Sequence, residues 1–228
     1  ARTTAQRRHL RSRGERPPRR QIRLVAEDEA VVAYLADTGE IDRFSAAVVV
    51  DCGDTGMTMY TVDPQNRQIT AVERSTVISG RRLDRAIAEG LTADNPALGD
   101  SSRTRAGRSE LLSACRTAKE EIAYGGAGSG GTEGSPVTLP GGSGRVSLTE
   151  SHVAGAVEPM VREAREVFDR YVADVAARGI NPDAVVFVGG LANLPAVREI
   201  TQGGHDFDTV CPSAPGTGGS DGCGAPRR

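Results

Sequence analysis

Apolar residues in this chain follow two patterns. Short unbroken runs, Ala46 to Val50 and Val185 to Val188, are dominated by β-branched residues and each leads into a glycine-bearing turn. Runs of that kind predict strands buried on both faces. Elsewhere the spacing is helical: Leu111, Cys115, Ala118 and Ile122 form one stripe, predicting a helix that stops near Tyr124, before Gly125 and Gly126. Val137 to Leu139 and Arg145 to Leu148 are strand candidates joined by Gly141-Gly142-Ser143-Gly144, a hairpin signal. Thr149 then stands where an N-cap belongs, ahead of a long helix with Val153, Val157, Met160, Ala164, Val167, Tyr171 and Val175 on its inner face. Pro159 lies inside that helix and is expected to bend it or interrupt its hydrogen-bond ladder. After Gly189 and Gly190, a further helix is expected from about Leu194 to Ile200.

Composition narrows the class without naming a chemistry. The chain has 228 residues, 38% of them hydrophobic, enough for a real core, and a net charge of -2 demands neither nucleic acid nor an anionic membrane. No apolar run approaches the roughly 20 residues a membrane helix needs and no signal peptide is visible, so a cytoplasmic setting is expected. Cys52, Cys115, Cys211 and Cys223 lie far apart without a CxxC pair, which favours reduced, mostly buried thiols over zinc or a disulfide framework. Arginine supplies every basic side chain except Lys119. Residues 1–23 are crowded with arginine and broken by Pro17-Pro18; they read as a polar helix and linker, and nucleic acid is not expected as a partner. Gly126 to Gly131 spells GxGxxG but follows a helix and precedes a hairpin, the wrong context for a dinucleotide turn. His9, His152 and His205 are too scattered for a triad or a zinc site.

The chemistry-bearing segments are the two turns. Asp51 closes the first strand where Gly53-Asp54-Thr55-Gly56 begins, and a carboxylate beside exposed amides can hold a hydrated metal near phosphate. In the second turn, two glycines let the backbone approach a ligand, and a helix start beyond them favours an anion.

Along most of its length the chain resembles the seventy-kilodalton heat-shock (DnaK-like) chaperones of the actin-like ATPase superfamily. Leu24 to Leu35 (LVAEDEAVVAYL) looks like the segment carrying that family's catalytic-site glutamate, on which Glu27 falls. Asp51 to Thr58 (DCGDTGMT) looks like the second phosphate motif, and Ser79 to Ile87 (SGRRLDRAI) like the stretch that ends on the family's final aspartate, here Asp84. Leu112 to Ile122 (LSACRTAKEEI) resembles the helix lining the adenosine pocket, with Lys119 on its lysine, and Gly189-Gly190 falls on the adenosine motif.

The resemblance implies an α/β fold: an actin-like ATPase (ribonuclease H-like) lobe with a mixed β-sheet flanked by helices. Its core would be residues 24–79 and 184–210, with an inserted helix-plus-hairpin subdomain at 80–183 and a disordered or diverged tail at 211–228. It implies ATP or ADP with Mg2+ as cofactors. Asp51 would reach the metal through water, and Glu27 would orient the attacking water. Gly53, Asp54, Thr55, Gly56 and Thr58 would lie by the phosphates, and Lys119, Gly189 and Gly190 by the nucleoside. Implied partners are the nucleotide, an opposing first lobe, and a nucleotide-exchange factor or co-chaperone.

Departures temper this. Gly56 stands where the family's motif has threonine, leaving open whether Thr55 or Thr58 faces phosphate. Arg116 and Glu120 occupy the places of a ribose-binding glutamate and a base-stacking arginine, and Asn193 replaces a second arginine. The family's first phosphate motif and catalytic lysine have no counterpart upstream of Glu27. The expectation is therefore a second lobe, cut from a longer protein or truncated, that does not hydrolyse ATP alone. The alternatives are a pseudo-ATPase binding module or another actin-like ATPase, filament-forming or sugar-kinase-like.

Overall fold

The computed structural model describes residues 24–95, 104–124, 134–142, 144–202 and 204–212. The expectations for 1–23, for the GxGxxG loop and for most of the tail lie outside these residues. Five strands form one sheet: β1 (Ala47–Cys52), β2 (Met57–Asp63), β3 (Gln68–Ser75), β6 (Ala184–Val188) and β7 (Asp208–Val210), in the order β3-β2-β1-β6-β7. The first three run as an antiparallel meander, whereas β6 lies parallel to β1 and β7 parallel to β6. The sheet is thus mixed, and with helices on both faces it is compatible with an actin-like ATPase lobe.

Apolar β1 and β6 lie inside the sheet because they carry side chains suited to burial on both faces, and β2 beside β1 is buried on both faces as well. Alternation along β1 sends Ala47 and Val49 to one face, where they pack with Tyr60, Val62 and α1 (Glu27–Thr38) through Val32 and Leu35. Val48, Val50 and Cys52 point to the other, joining Met57, Met59 and Phe187. The helices on this second face are α2 (Gly80–Asp94), α3 (Arg105–Tyr124) and α4 (Glu150–Ala177), and one apolar cluster runs from the sheet through all three. The hairpin β4 (Ser135–Thr138) and β5 (Arg145–Leu148) adds Val137 and Leu148 to the same cluster.

Thr149 caps α4 as expected, in a reciprocal box: its hydroxyl accepts from the His152 amide while His152 Nδ1 accepts from the Thr149 amide at 3.1 Å. His152 therefore has a structural role. All seven residues predicted for the inner face of α4 are buried. The helix runs unbroken for 28 residues through Pro159, so the expected interruption does not occur.

The helix expected from about Leu194 to Ile200 is present in its place but is short and mixed: α5 (Pro195–Arg198) is continued by a 3-10 turn (Glu199–Thr201), and a separate 3-10 turn (Gly190–Asn193) precedes it. Pro195 sets its start, because a proline holds the residue before it out of the helical region; Leu194 is extended at φ -82°, ψ 119°. No helix long enough to favour an anion follows the glycines, and that part of the turn argument falls. The cysteine reading is also corrected in part. Cys52 and Cys115 are free and buried, but Cys211 is disulfide-bonded, a pairing that spacing alone does not reveal.

Candidate functional site

The turn between β1 and β2 has a cavity on each side. The larger, about 1020 Å³, is lined by Glu27, Asp28, Asp51, Thr55, Gly56, Thr58 and Tyr60 among others. Asp51 comes to it because alternation puts its side chain on the α1 face, and Glu27 because α1 begins there. Three acidic residues, Glu27, Asp28 and Glu29, fill the first turn of α1, where the helix dipole favours negative charge. Burial, and next the nearby Glu27 charge, push the Asp51 carboxyl above the usual aspartate range. Thr55 and Thr58 both line this cavity, so either hydroxyl can serve it.

Sequence reasoning missed Tyr60. It is fully buried, its hydroxyl meets no hydrogen-bond partner, and its ring lines the same cavity. Burial first, then the charges of Asp51, Asp28 and Glu27, raise its pKa and keep it a neutral donor. Carboxylates and hydroxyls in the lining offer oxygen ligands, which fit a hydrated hard cation. Among the described residues no group of three or more His, Cys, Asp or Glu is arranged to hold a metal ion.

Asp51 carries a stability signature with a definite sign. Its pKa is higher folded than unfolded, so its contribution to stability is fully present below the unfolded value of about 3.9 and is lost as pH rises through the folded value. Asp51→Asn is therefore expected to raise the melting temperature at pH 7 and to leave it unchanged near pH 3. An equal effect at both pH values would show that burial does not strain this carboxylate.

Within the turn, the Gly53 amide donates to the Gly56 carbonyl at 2.9 Å, leaving the amides of Asp54, Thr55 and Gly56 as candidates for an oxyanion. The carbonyls of Gly53 and Asp54 accept from the Gly80 and Arg81 amides, each at 3.0 Å, so the start of α2 fixes the turn. Gly56 is required by closeness: a Cβ there would stand 2.6 Å from the Ser75 carbonyl oxygen.

The smaller cavity, about 340 Å³, lies on the far side of the turn and is lined by Gly53, Asp54, Arg116, Lys119, Glu120, Tyr124 and Gly190, among others. Asp54 thus faces this cavity, where Arg81 Nε and an Arg116 terminal nitrogen each donate to it at 2.8 Å. Arg116 Nε also donates to Asp84 at 3.1 Å, and Lys119 Nζ donates to the other oxygen of Asp84 at 2.6 Å. Asp84 and Lys119 are both buried. The lysine predicted to meet a nucleoside is therefore at the cavity with its charge already paired. Asn193 is also engaged, donating to the Gly190 carbonyl at 3.3 Å.

The two glycines of the second turn part company. Gly190 borders the smaller cavity, whereas Gly189, at φ +88°, is pressed against the other site. A Cβ on Gly189 would come within 2.5 Å of both Asp51 Oδ1 and the Cys52 carbonyl oxygen. The predicted residues thus gather around one turn: Glu27, Asp51, Thr55, Gly56 and Thr58 on one side, Gly53, Asp54, Lys119 and Gly190 on the other, with Gly189 behind Asp51.

No protein-family model matches the chain. Among curated proteins it is similar to the Chaperone protein HscA homolog of two strains of Acidithiobacillus ferrooxidans, 25% identical in each case over 184 residues, 79% of this chain. HscA is a chaperone of the seventy-kilodalton heat-shock family, so the distant likeness points to the same family as the motifs. The chain spans 28% of the length of those relatives.

Proposed function

We propose that this chain forms one wall of a nucleotide site of the seventy-kilodalton heat-shock chaperone type, taking ATP or ADP with Mg2+. The observation that carries the reading is the pair of cavities divided by the β1–β2 turn, one acidic and rich in hydroxyls, the other partly apolar. Phosphates and a hydrated cation fit the first, with Asp51 and Glu27 holding water and Thr55 or Thr58 meeting an oxygen. The nucleoside fits the second, between α3 and Gly190. Magnesium would neutralise phosphate charge in the first cavity; phosphoryl transfer rests on such neutralisation and on positioning. An opposing lobe, and an exchange factor or co-chaperone acting on it, belong to the same reading. The described residues wall the site on one side only, so turnover by this chain alone is expected to be negligible.

Calorimetric titration with Mg-ADP tests the proposal. Saturable binding is expected, weakened at least tenfold by Asp51→Ala and measurably by Lys119→Ala, with each variant shown folded by circular dichroism. The absence of heat up to millimolar ADP from a folded chain would overturn it. That outcome would favour a second reading, a pseudo-ATPase binding module, whose supporting observation is the Arg81–Asp54–Arg116–Asp84–Lys119 network that spends the cavity's charges internally.

A further inference from the structure

Among the described residues the larger cavity is lined by three carboxylates, those of Glu27, Asp28 and Asp51, and by one cation, Arg74. Arg74 is exposed on the edge strand β3 and makes no hydrogen bond or ion pair among the described residues. Strand register fixes where it points. Asp51 of β1 lies opposite Thr58 of β2, and Thr58 lies opposite Arg74 of β3. Residues directly opposite in antiparallel strands project to the same face, so these three form a row across the sheet. With neighbouring strands about 4.7–4.9 Å apart, the backbones of Asp51 and Arg74 stand about 10 Å from each other. The Asp51 carboxyl is pushed up by burial and by Glu27, without relief from the guanidinium.

A bulge is what places Arg74 in this row. Pairing of β2 with β3 shifts register between Met59 and Thr61, so that Ala71 and Val72 together stand opposite Tyr60. Ala71 takes a left-handed φ of +51°, uncommon for a residue with a side chain. Without the extra residue Glu73 would fall opposite Thr58, because a slip of one residue exchanges the two faces of a strand. Glu73 turns instead to the other face of the sheet, where Arg170 of α4 lies 3.7 Å from its carboxylate.

Resting on the nucleotide reading above, we infer that Arg74 is the phosphate-binding cation of this site, its guanidinium holding phosphate oxygens opposite the carboxylates. A guanidinium presents its N–H donors as a fork that matches two phosphate oxygens. Thr58 between the two ends of the row, and Ser75 and Thr76 beside Arg74, add hydroxyls to the lining. The cavity is therefore graded from negative at β1 to positive at β3. That gradient suits a ligand carrying a hydrated cation at one end and bare phosphate oxygens at the other.

Calorimetry on the full chain with Mg-ADP and with magnesium pyrophosphate tests the assignment. Arg74→Ala is expected to weaken both about tenfold or more, the scale of a hydrogen bond to a charged group. Arg74→Lys keeps the charge, loses the fork and should fall between. Thermal unfolding of both variants should match the parent, since the side chain is exposed. Mg-ADP binding untouched by Arg74→Ala would make the residue an edge-strand charge alone, and would overturn the inference while the nucleotide reading stands. A loss for Mg-ADP with none for magnesium pyrophosphate would overturn it as well, because the effect would not lie at the phosphates. Failure of Mg-ADP to bind the folded parent overturns the nucleotide reading and this inference together.

Discussion

Asp84→Ala is expected to lower the unfolding free energy by about 3–5 kcal/mol, the scale for breaking a buried ion pair by removing one partner. The side chains of Asp84 and Lys119 are 5% and 8% exposed and meet at 2.6 Å. Without the carboxylate, the ammonium keeps only the Gly80 carbonyl, at 3.5 Å, and must be held charged in a dry place or lose its proton. Arg116 suffers less, since it is 44% exposed and still reaches Asp54. Adding Lys119→Met to Asp84→Ala should recover much of the loss, because the stranded charge goes with it. Urea denaturation of the single and double variants measures both quantities. A loss below about 1 kcal/mol for Asp84→Ala would show that water reaches the pair.

Gly189→Ala should cost about 3 kcal/mol or more, by a different route. Alanine at φ +88°, ψ 163° sits in a region that essentially only glycine occupies, worth roughly 1–3 kcal/mol of strain by itself. Its methyl would also lie 2.5 Å from the Cys52 carbonyl oxygen, which is backbone of a central strand and cannot swing aside. The other close atom is Asp51 Oδ1, so the substitution should also displace the carboxylate that faces the larger cavity. Gly190→Ala is the control: it meets only the end of the Tyr124 side chain, at 3.2 Å, and should cost far less. Thermal unfolding of the two variants separates the cases, and equal losses would refute the argument from close approach.

The parts of the fold that announce themselves are those where one residue type dominates a period. Uninterrupted valines mark β1 and β6, and Thr149 with the stripe from Val153 to Val175 marks α4. β2 and β3 were not visible as strands. In β2 Thr58 is half-buried and Thr61 is buried, bonded to Tyr171 at 2.7 Å, so polar residues face inward and the alternation is blurred. β3 is an edge strand with a mostly half-exposed pattern and a register shift opposite Met59 to Thr61. β7 has three residues and is specified by its neighbour β6 more than by itself.

At the site, the motif residues were legible because they cluster in sequence. Tyr60 was hidden because its hydroxyl matters through position: it sits diagonally from Asp51 across the β1–β2 pair. The charge network was hidden because its members, Asp54, Asp84 and Arg116, come from three elements 30 or more residues apart. No spacing rule connects them, and only the fold shows that the cavity's cations are already paired.

The parallel pairing of β1 with β6 also bears on how the site comes into being. Just ahead of the two strands, Asp183 accepts hydrogen bonds from the Ser45 amide and hydroxyl across 138 positions of chain. Closing so long a loop is entropically costly until helices and hairpin have shortened the path, and contacts of high sequence separation slow folding. During synthesis, which delivers the N-terminal strand first, β1 and Asp51 emerge well before the partner that completes them. A nascent chain therefore lacks the strand beside Asp51 and the glycine behind it until Val188 and Gly189 have been made, and the cavity that Asp51 faces is completed late in folding.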